Sequence, residues 1–286
     1  MESKLQNAWK AWQWFWFDSA DLKALGLFRL MTGLVLFVMY VIRAWDFDLF
    51  YGSHALLNCA ESRSYLDQNW PYAFFFAPCD PNFLFVMQSG FLAALLAFAL
   101  GWIPRLFTPI LFLVHLAFLQ RNLSVVYGAD TVATFYLFLM CFCQHSEYWR
   151  MPFKQNANAH VPATADLFSG MGFRFLQIQV AVIYAYSGLE KLRGSTWWEG
   201  SALWYVVGNS QVVPWDLGFL RDFPWLVAVM TSLTVLFEIY FLLAILQPVM
   251  RRPWLMVGAG MHIGAAIFMG LPFFSLLMLA SYVLFW

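Results

Sequence analysis

Charge is what this sequence has least of: only 11% of its 286 residues are Asp, Glu, Lys or Arg, sixteen of each sign. Soluble domains carry roughly a quarter charged residues, so the soluble class is excluded. The balanced signs also exclude a nucleic-acid partner, which needs a basic face. Cysteine is scarce as well, with four in all. Cys141 and Cys143 lie in the apolar run LFLMCFC, where Cys behaves as a small hydrophobe. Cys59 and Cys79 share one polar loop and can be bridged if that loop faces an oxidising side, although their spacing does not reveal their distance. The sequence has no HExxH, phosphate-binding glycine loop, dinucleotide glycine motif or nucleophile elbow. His54, His145 and His160 fall in loops without metal-ligand spacing, so no metal is expected.

What is present is apolar and aromatic: 62% hydrophobic residues, 20% aromatic, fifteen tryptophans. Tryptophan concentrates at membrane interfaces, and the composition is that of an integral membrane protein in contact with lipid. Measured against about 20 residues per crossing, apolar segments fall at 25–45, 82–103, 106–120, 125–144, 168–190, 224–247, 253–270 and 271–286. Several are short, and Pro104, Pro248, Pro253 and Pro272 punctuate their boundaries. The expected architecture is all-α and polytopic, a bundle of about eight transmembrane helices in one domain over 25–286. Residues 1–24 lack a signal peptide's uninterrupted apolar core. They mix apolar and charged residues at helical spacing, which predicts an amphipathic interfacial helix anchored by Trp9, Trp12, Trp14 and Trp16.

Loop charges set the expected orientation. With the N-terminus cytoplasmic, the dense pairs Arg251–Arg252 and Arg150–Lys154 fall inside. The loop holding Cys59 and Cys79 then lies outside, as does the Lys191 end of the fifth segment.

The stretch Tyr186–Gly200, YSGLEKLRGSTWWEG, ends an apolar run with two carboxylates, two cations and a tryptophan pair. Charge at membrane depth is expensive and survives where it pairs or serves a pathway. Two readings stay open. Lys191 and Arg193 complement a helix C-terminus that Gly194 caps, with Trp197 and Trp198 as interfacial anchors. Alternatively Lys191 is desolvated at a cavity edge, where a deprotonated amine is a competent base; a carboxylate as close as Glu190 works against this. Glu238 in VLFEIYF must pair, protonate or face water. His262 sits mid-segment among small residues in GAGMHIGAAIFMG. A Glu238–Lys191 or Glu238–His262 contact satisfies these groups. In QRNLSVVYGADT, the three-residue step from Tyr127 to Asp130 puts both on one helix face, and Arg121 with Asp130 forms either a buried ion pair or part of a ligand site that includes Asn122. His115 reads as a packing residue.

The combination YSGLEKL…WWEGSALWY, preceded by FRFLQIQVAVIYAY, resembles the transmembrane domain of the vitamin K-dependent gamma-carboxylases, the horizontally transferred transmembrane (HTTM) family. RNLSVVYG, HSEYW, MHIG and FFSLLMLASY extend the likeness from about residue 25 onward. The resemblance implies that Lys191 is a base that deprotonates a reduced vitamin K or menaquinol for carboxylase-like or epoxidase-like chemistry, and it matches His262 and Asn122 to a histidine and an asparagine of the family; with Glu238 from its own apolar run, His262 would then be a proton-handling and electrostatic partner of the base. Asn122 and Tyr127 would position the quinol, and Trp197 and Trp198 would cover it. One departure is Leu123, where the carboxylases have histidine. The sequence also ends at Trp286 without the extramembrane portion that selects a propeptide-bearing substrate in the animal enzymes. The alternative expectation is a non-catalytic membrane protein that binds, escorts or matures an exported peptide through loops 46–80 and 199–223.

Overall fold

Each of the eight apolar segments is a helix in the computed structural model, which describes residues 2–17, 21–69, 78–143, 163–209, 213 and 215–286. No strand occurs among the described residues, and the protein is an all-α membrane protein. Among the described residues, three helices are long and apolar enough to cross a membrane by length and composition: α2 (Leu22–Trp45), α5 (Pro81–Ala99) and α11 (Pro224–Leu246). The shorter α7 (Gly128–Met140) and the segment Pro272–Leu284 are apolar. The others carry polar residues that dilute them: Arg105 and Arg121 in α6 (Pro104–Arg121), Arg174, Glu190 and Lys191 in α8 (Ala163–Lys191), and Arg251 and Arg252 in α12 (Pro248–Phe268).

Local chemistry sets the helix starts. Asp21 accepts hydrogen bonds from the Lys23 and Ala24 amides at the head of α2, and Asp80 accepts one from Phe83 at the head of α5. Each satisfies amides that the first turn leaves without a partner. Proline at the first turn of α5, α6, α11 and α12 costs no hydrogen bond there.

The chain divides into two compact units, Met1–Leu176 and Gln177–Trp286. In the first, α2 packs on α5, α5 on α6 and α6 on α7. The α2–α5 approach is close: a Cβ on Gly33 would lie 2.8 Å from that of Ala99. Phe28, Tyr40, Phe91, Phe118 and Tyr136 fill the interior. The N-terminal helix α1 (Glu2–Phe17) exposes Trp9, Trp12 and Trp14, whereas Trp16 turns against Phe175, and the Phe15 carbonyl accepts from Arg174 Nε at 2.9 Å. Trp16 is thus half-buried and engaged in packing. After α2 come α3 (Phe47–Phe50) and α4 (Cys59–Asn69), and Cys59 is disulfide-bonded to Cys79 with Cα atoms 5.7 Å apart.

In the second unit, α11 packs on α12 and α12 on α13 (Pro272–Ser281). Two short helices, α9 (Ser195–Trp198) and α10 (Ala202–Val207), and a 3-10 turn at Gly218–Asp222 pack against α11.

Candidate functional site

The last turns of α8 place Tyr184, Ser187, Gly188 and Lys191 on one face, at three- and four-residue steps. Gly188 lets α11 come close, since a Cβ there would stand 2.8 Å from the Ile239 side chain and 3.1 Å from its backbone nitrogen. That approach sets Lys191 beside Glu238. Lys191 Nζ lies 2.8 Å from Glu238 Oε2 and 3.0 Å from Oε1, and donates to Ser187 Oγ at 2.7 Å. The ring of Trp197 covers the ammonium at 5.1 Å from its centroid, a cation–π contact. Of the two expected partners for Glu238, Lys191 is the one found. Trp198 is exposed and spends its indole N–H on the Leu192 carbonyl, and Glu190 pairs with Arg193 at the surface.

His262 belongs to a separate cluster in the same unit. Its Nε2 is 2.6 Å from the Tyr184 hydroxyl, which is 2.7 Å from the Tyr282 hydroxyl. The rings of Phe237 and Phe241 pack on Tyr184. Gly258 is required here: a Cβ would collide with Tyr282 Oη and Phe237. His262 Nδ1 is buried and has no hydrogen-bond partner among the described residues. Whichever tautomer Nε2 adopts, Nδ1 is then an unanswered donor or acceptor, an arrangement that costs stability.

The first unit holds the remaining candidates. Asp130 pairs with Arg43, not Arg121, through two parallel bonds of 2.9 and 2.8 Å, both side chains buried. Arg121 donates instead to the carbonyls of Leu57 and Tyr51. Asn122 is equally committed: its amide donates to the Phe50 carbonyl at 2.8 Å, and its oxygen accepts from Ser124. Both residues fasten the loop after α3 to the end of α6. Tyr127 precedes α7 in extended conformation, so it does not share a helix face with Asp130; its backbone N–H is held by the Asp130 carboxylate at 3.2 Å. His115 bridges the Tyr40 hydroxyl and the Asp130 carbonyl, the packing role its sequence suggests. His54 pairs with exposed Asp48, whose carboxyl the imidazole holds below its usual value. His145 and His160 lie outside the described residues, as do Arg150 and Lys154.

A cavity of about 570 Å³ opens along the loop that leads into α11, lined by Trp204, Val207, Gly208, Val213, Trp215, Asp216, Leu217, Gly218 and Arg221. None of the residues singled out for chemistry lines it. It falls in the loop 199–223 named as a peptide surface.

Two proteins of Bacillus subtilis (strain 168) are similar to this chain. The sporulation-delaying protein SdpB is 24% identical over 270 residues, 91% of this chain and 79% of SdpB. The uncharacterized protein YitO is 25% identical over 206 residues, 68% of this chain, which thus spans just under two thirds of YitO's length, 64%. No protein-family model matches the chain, and no solved structure matches it. The likeness to SdpB is broad enough to take in both structural units.

Sequence reasoning missed four contributors. Tyr184 and Ser187 stand seven and four residues before Lys191, a spacing that marks the same face once the helix is assumed. Tyr282 ends the FFSLLMLASY run. Arg43 carries no local signal, because its partner is 87 residues away.

Proposed function

We propose that this chain is an integral membrane protein that binds an exported peptide at its outer face and assists the peptide's maturation. The observation that carries the reading is the cavity along 204–221, whose two indoles and paired signs of charge suit a peptide better than a lipid tail. The name of its relative, a sporulation-delaying protein, describes an effect on development and supports a role of this kind. The charge distribution supports an outward placement of this loop, with the N-terminus inside. The Cys59–Cys79 disulfide supports the same for its own loop, since such bonds persist on oxidising sides. Lys191 serves here as a tie between helices. An ammonium bonded to a carboxylate and a hydroxyl has no lone pair free to take a proton.

The test compares peptides released by cells expressing the chain, a Trp204→Ala/Trp215→Ala variant, or neither, using mass spectrometry. Peptides that require the chain and vanish in the cleft variant are expected. Identical profiles in all three would refute the reading.

A second reading rests on the HTTM resemblance and is favoured by one alignment: an amine, a carboxylate, an imidazole and two phenols are distributed along the α8 face and its neighbours. In it, Lys191 first passes a proton to Glu238, and the neutral amine then takes the proton of a reduced naphthoquinol. Oxygen uptake by the purified protein with naphthoquinol, abolished by Lys191→Ala in a folded variant, would establish it over the first.

A further inference from the structure

The cavity has a fixed frame. Trp215 is pinned by its indole N–H to the Ile267 carbonyl at 2.7 Å, at the far end of α12. Trp204 rides on α10, which packs against α11. Asp216 accepts the Gly218 amide at 2.9 Å and so starts the 3-10 turn that carries Arg221. In a chain so poor in charge, Arg221 is exposed and makes no ion pair or side-chain hydrogen bond among the described residues.

We propose that this cleft takes the free C-terminus of an apolar peptide, with Arg221 pairing with the terminal carboxylate and Trp204 and Trp215 holding the last side chain. The inference rests on the peptide-binding reading and specifies which part of the peptide enters. Charge selects the end: the uncommitted group is a guanidinium, whose fork matches a carboxylate, whereas one oxygen of Asp216 is already engaged. Size selects an end over a long segment, because about 570 Å³ is the scale of a compact ligand site. The indoles select an apolar terminal residue, since they offer large rigid surface at little entropic cost.

The experiment uses the full chain in detergent micelles, with empty micelles as blank. The probes are fluorescein-labelled Gly-Ala-Leu-Phe as the free acid and as the C-terminal amide, read by polarisation. The acid should bind about tenfold tighter than the amide at low salt, the scale of one charge-assisted pairing. The preference should shrink as salt rises and disappear in Arg221→Gln, while Arg221→Lys keeps a preference for the acid. Circular dichroism confirms that the variants fold. Equal affinity of acid and amide, both weakened by Trp215→Ala, overturns the carboxylate inference and leaves the peptide reading standing. No binding of either probe above the blank overturns both.

Discussion

Removing one member of the Lys191–Glu238 pair should destabilise the protein far more than removing both. The two side chains keep only 19% and 8% of their exposure. At 2.8 Å the attraction is about 6 kcal/mol for an effective dielectric constant of about 20. Desolvation of two ions costs several kcal/mol each, so the intact pair is near break-even against an apolar replacement. Glu238→Leu leaves an ammonium with only Ser187 and the Trp197 ring; Lys191→Met leaves a carboxylate with only the Ser187 hydroxyl. Each single change should therefore cost about 3–5 kcal/mol. The double variant Lys191→Met/Glu238→Leu should cost much less than their sum, with a coupling of at least about 2 kcal/mol. The assay is reversible unfolding of the detergent-solubilised protein by SDS, followed by far-ultraviolet circular dichroism. Additive effects, or single changes that each cost under about 1 kcal/mol, would refute the buried pair as the tie between α8 and α11.

Three further outcomes are expected. Tyr184→Phe deletes the hydroxyl shared by His262 and Tyr282, and should cost about 1–3 kcal/mol because it leaves the imidazole without this partner; adding His262→Leu should recover part of the loss in the same unfolding assay. Gly258→Ala should cost about 1–3 kcal/mol through overpacking against Tyr282 and Phe237, whereas Gly260→Ala, with open space around it, should be neutral or gain up to about 1 kcal/mol of helix propensity; equal losses at both positions would contradict the packing described. Burial pushes the Tyr51 phenol up to about 12, so its folded value lies above the ordinary 10, and the associated stability is complete below about pH 10 and lost as pH rises through 12. Tyr51→Phe should flatten that alkaline limb of the stability profile, and an unchanged limb would show that Tyr51 does not contribute to it.

The helices were legible because membrane depth forces runs of apolar residues, and composition alone distinguishes them from a soluble core. The same physics made Lys191 and Glu238 legible as partners: two isolated ionisable groups in apolar runs each need an opposite charge. Arg121 misleads for an instructive reason. It is near Asp130 in sequence, yet its acceptors are the carbonyls of Leu57 and Tyr51. Backbone carbonyls are the same at every residue, so the sequence cannot advertise them. Tyr184 and Tyr282 were silent because a tyrosine in an apolar helix reads as one more aromatic until a partner histidine is placed against it. The cleft is least legible of all, since its shape depends on the Asp216 turn and on one indole reaching the Ile267 carbonyl.

This contrast bears on function. In the α8 and α11 seam, the charges are consumed by each other, and Ser187 and Trp197 complete the coordination of the ammonium. Groups so fully occupied hold helices together, and their substitution should change unfolding before it changes binding. Arg221 is the opposite case, an exposed cation on a turn that the scaffold positions but does not neutralise. A cation kept open next to two indoles has no stabilising duty that explains it, so its substitution should change binding and leave unfolding alone. The quinol reading moves the functional loss: Lys191 variants would lose activity as well as stability, and Arg221 variants would be inert. Measuring stability and function on the same pair of variants, Lys191→Met and Arg221→Gln, therefore separates the two readings even while the natural ligand is unidentified.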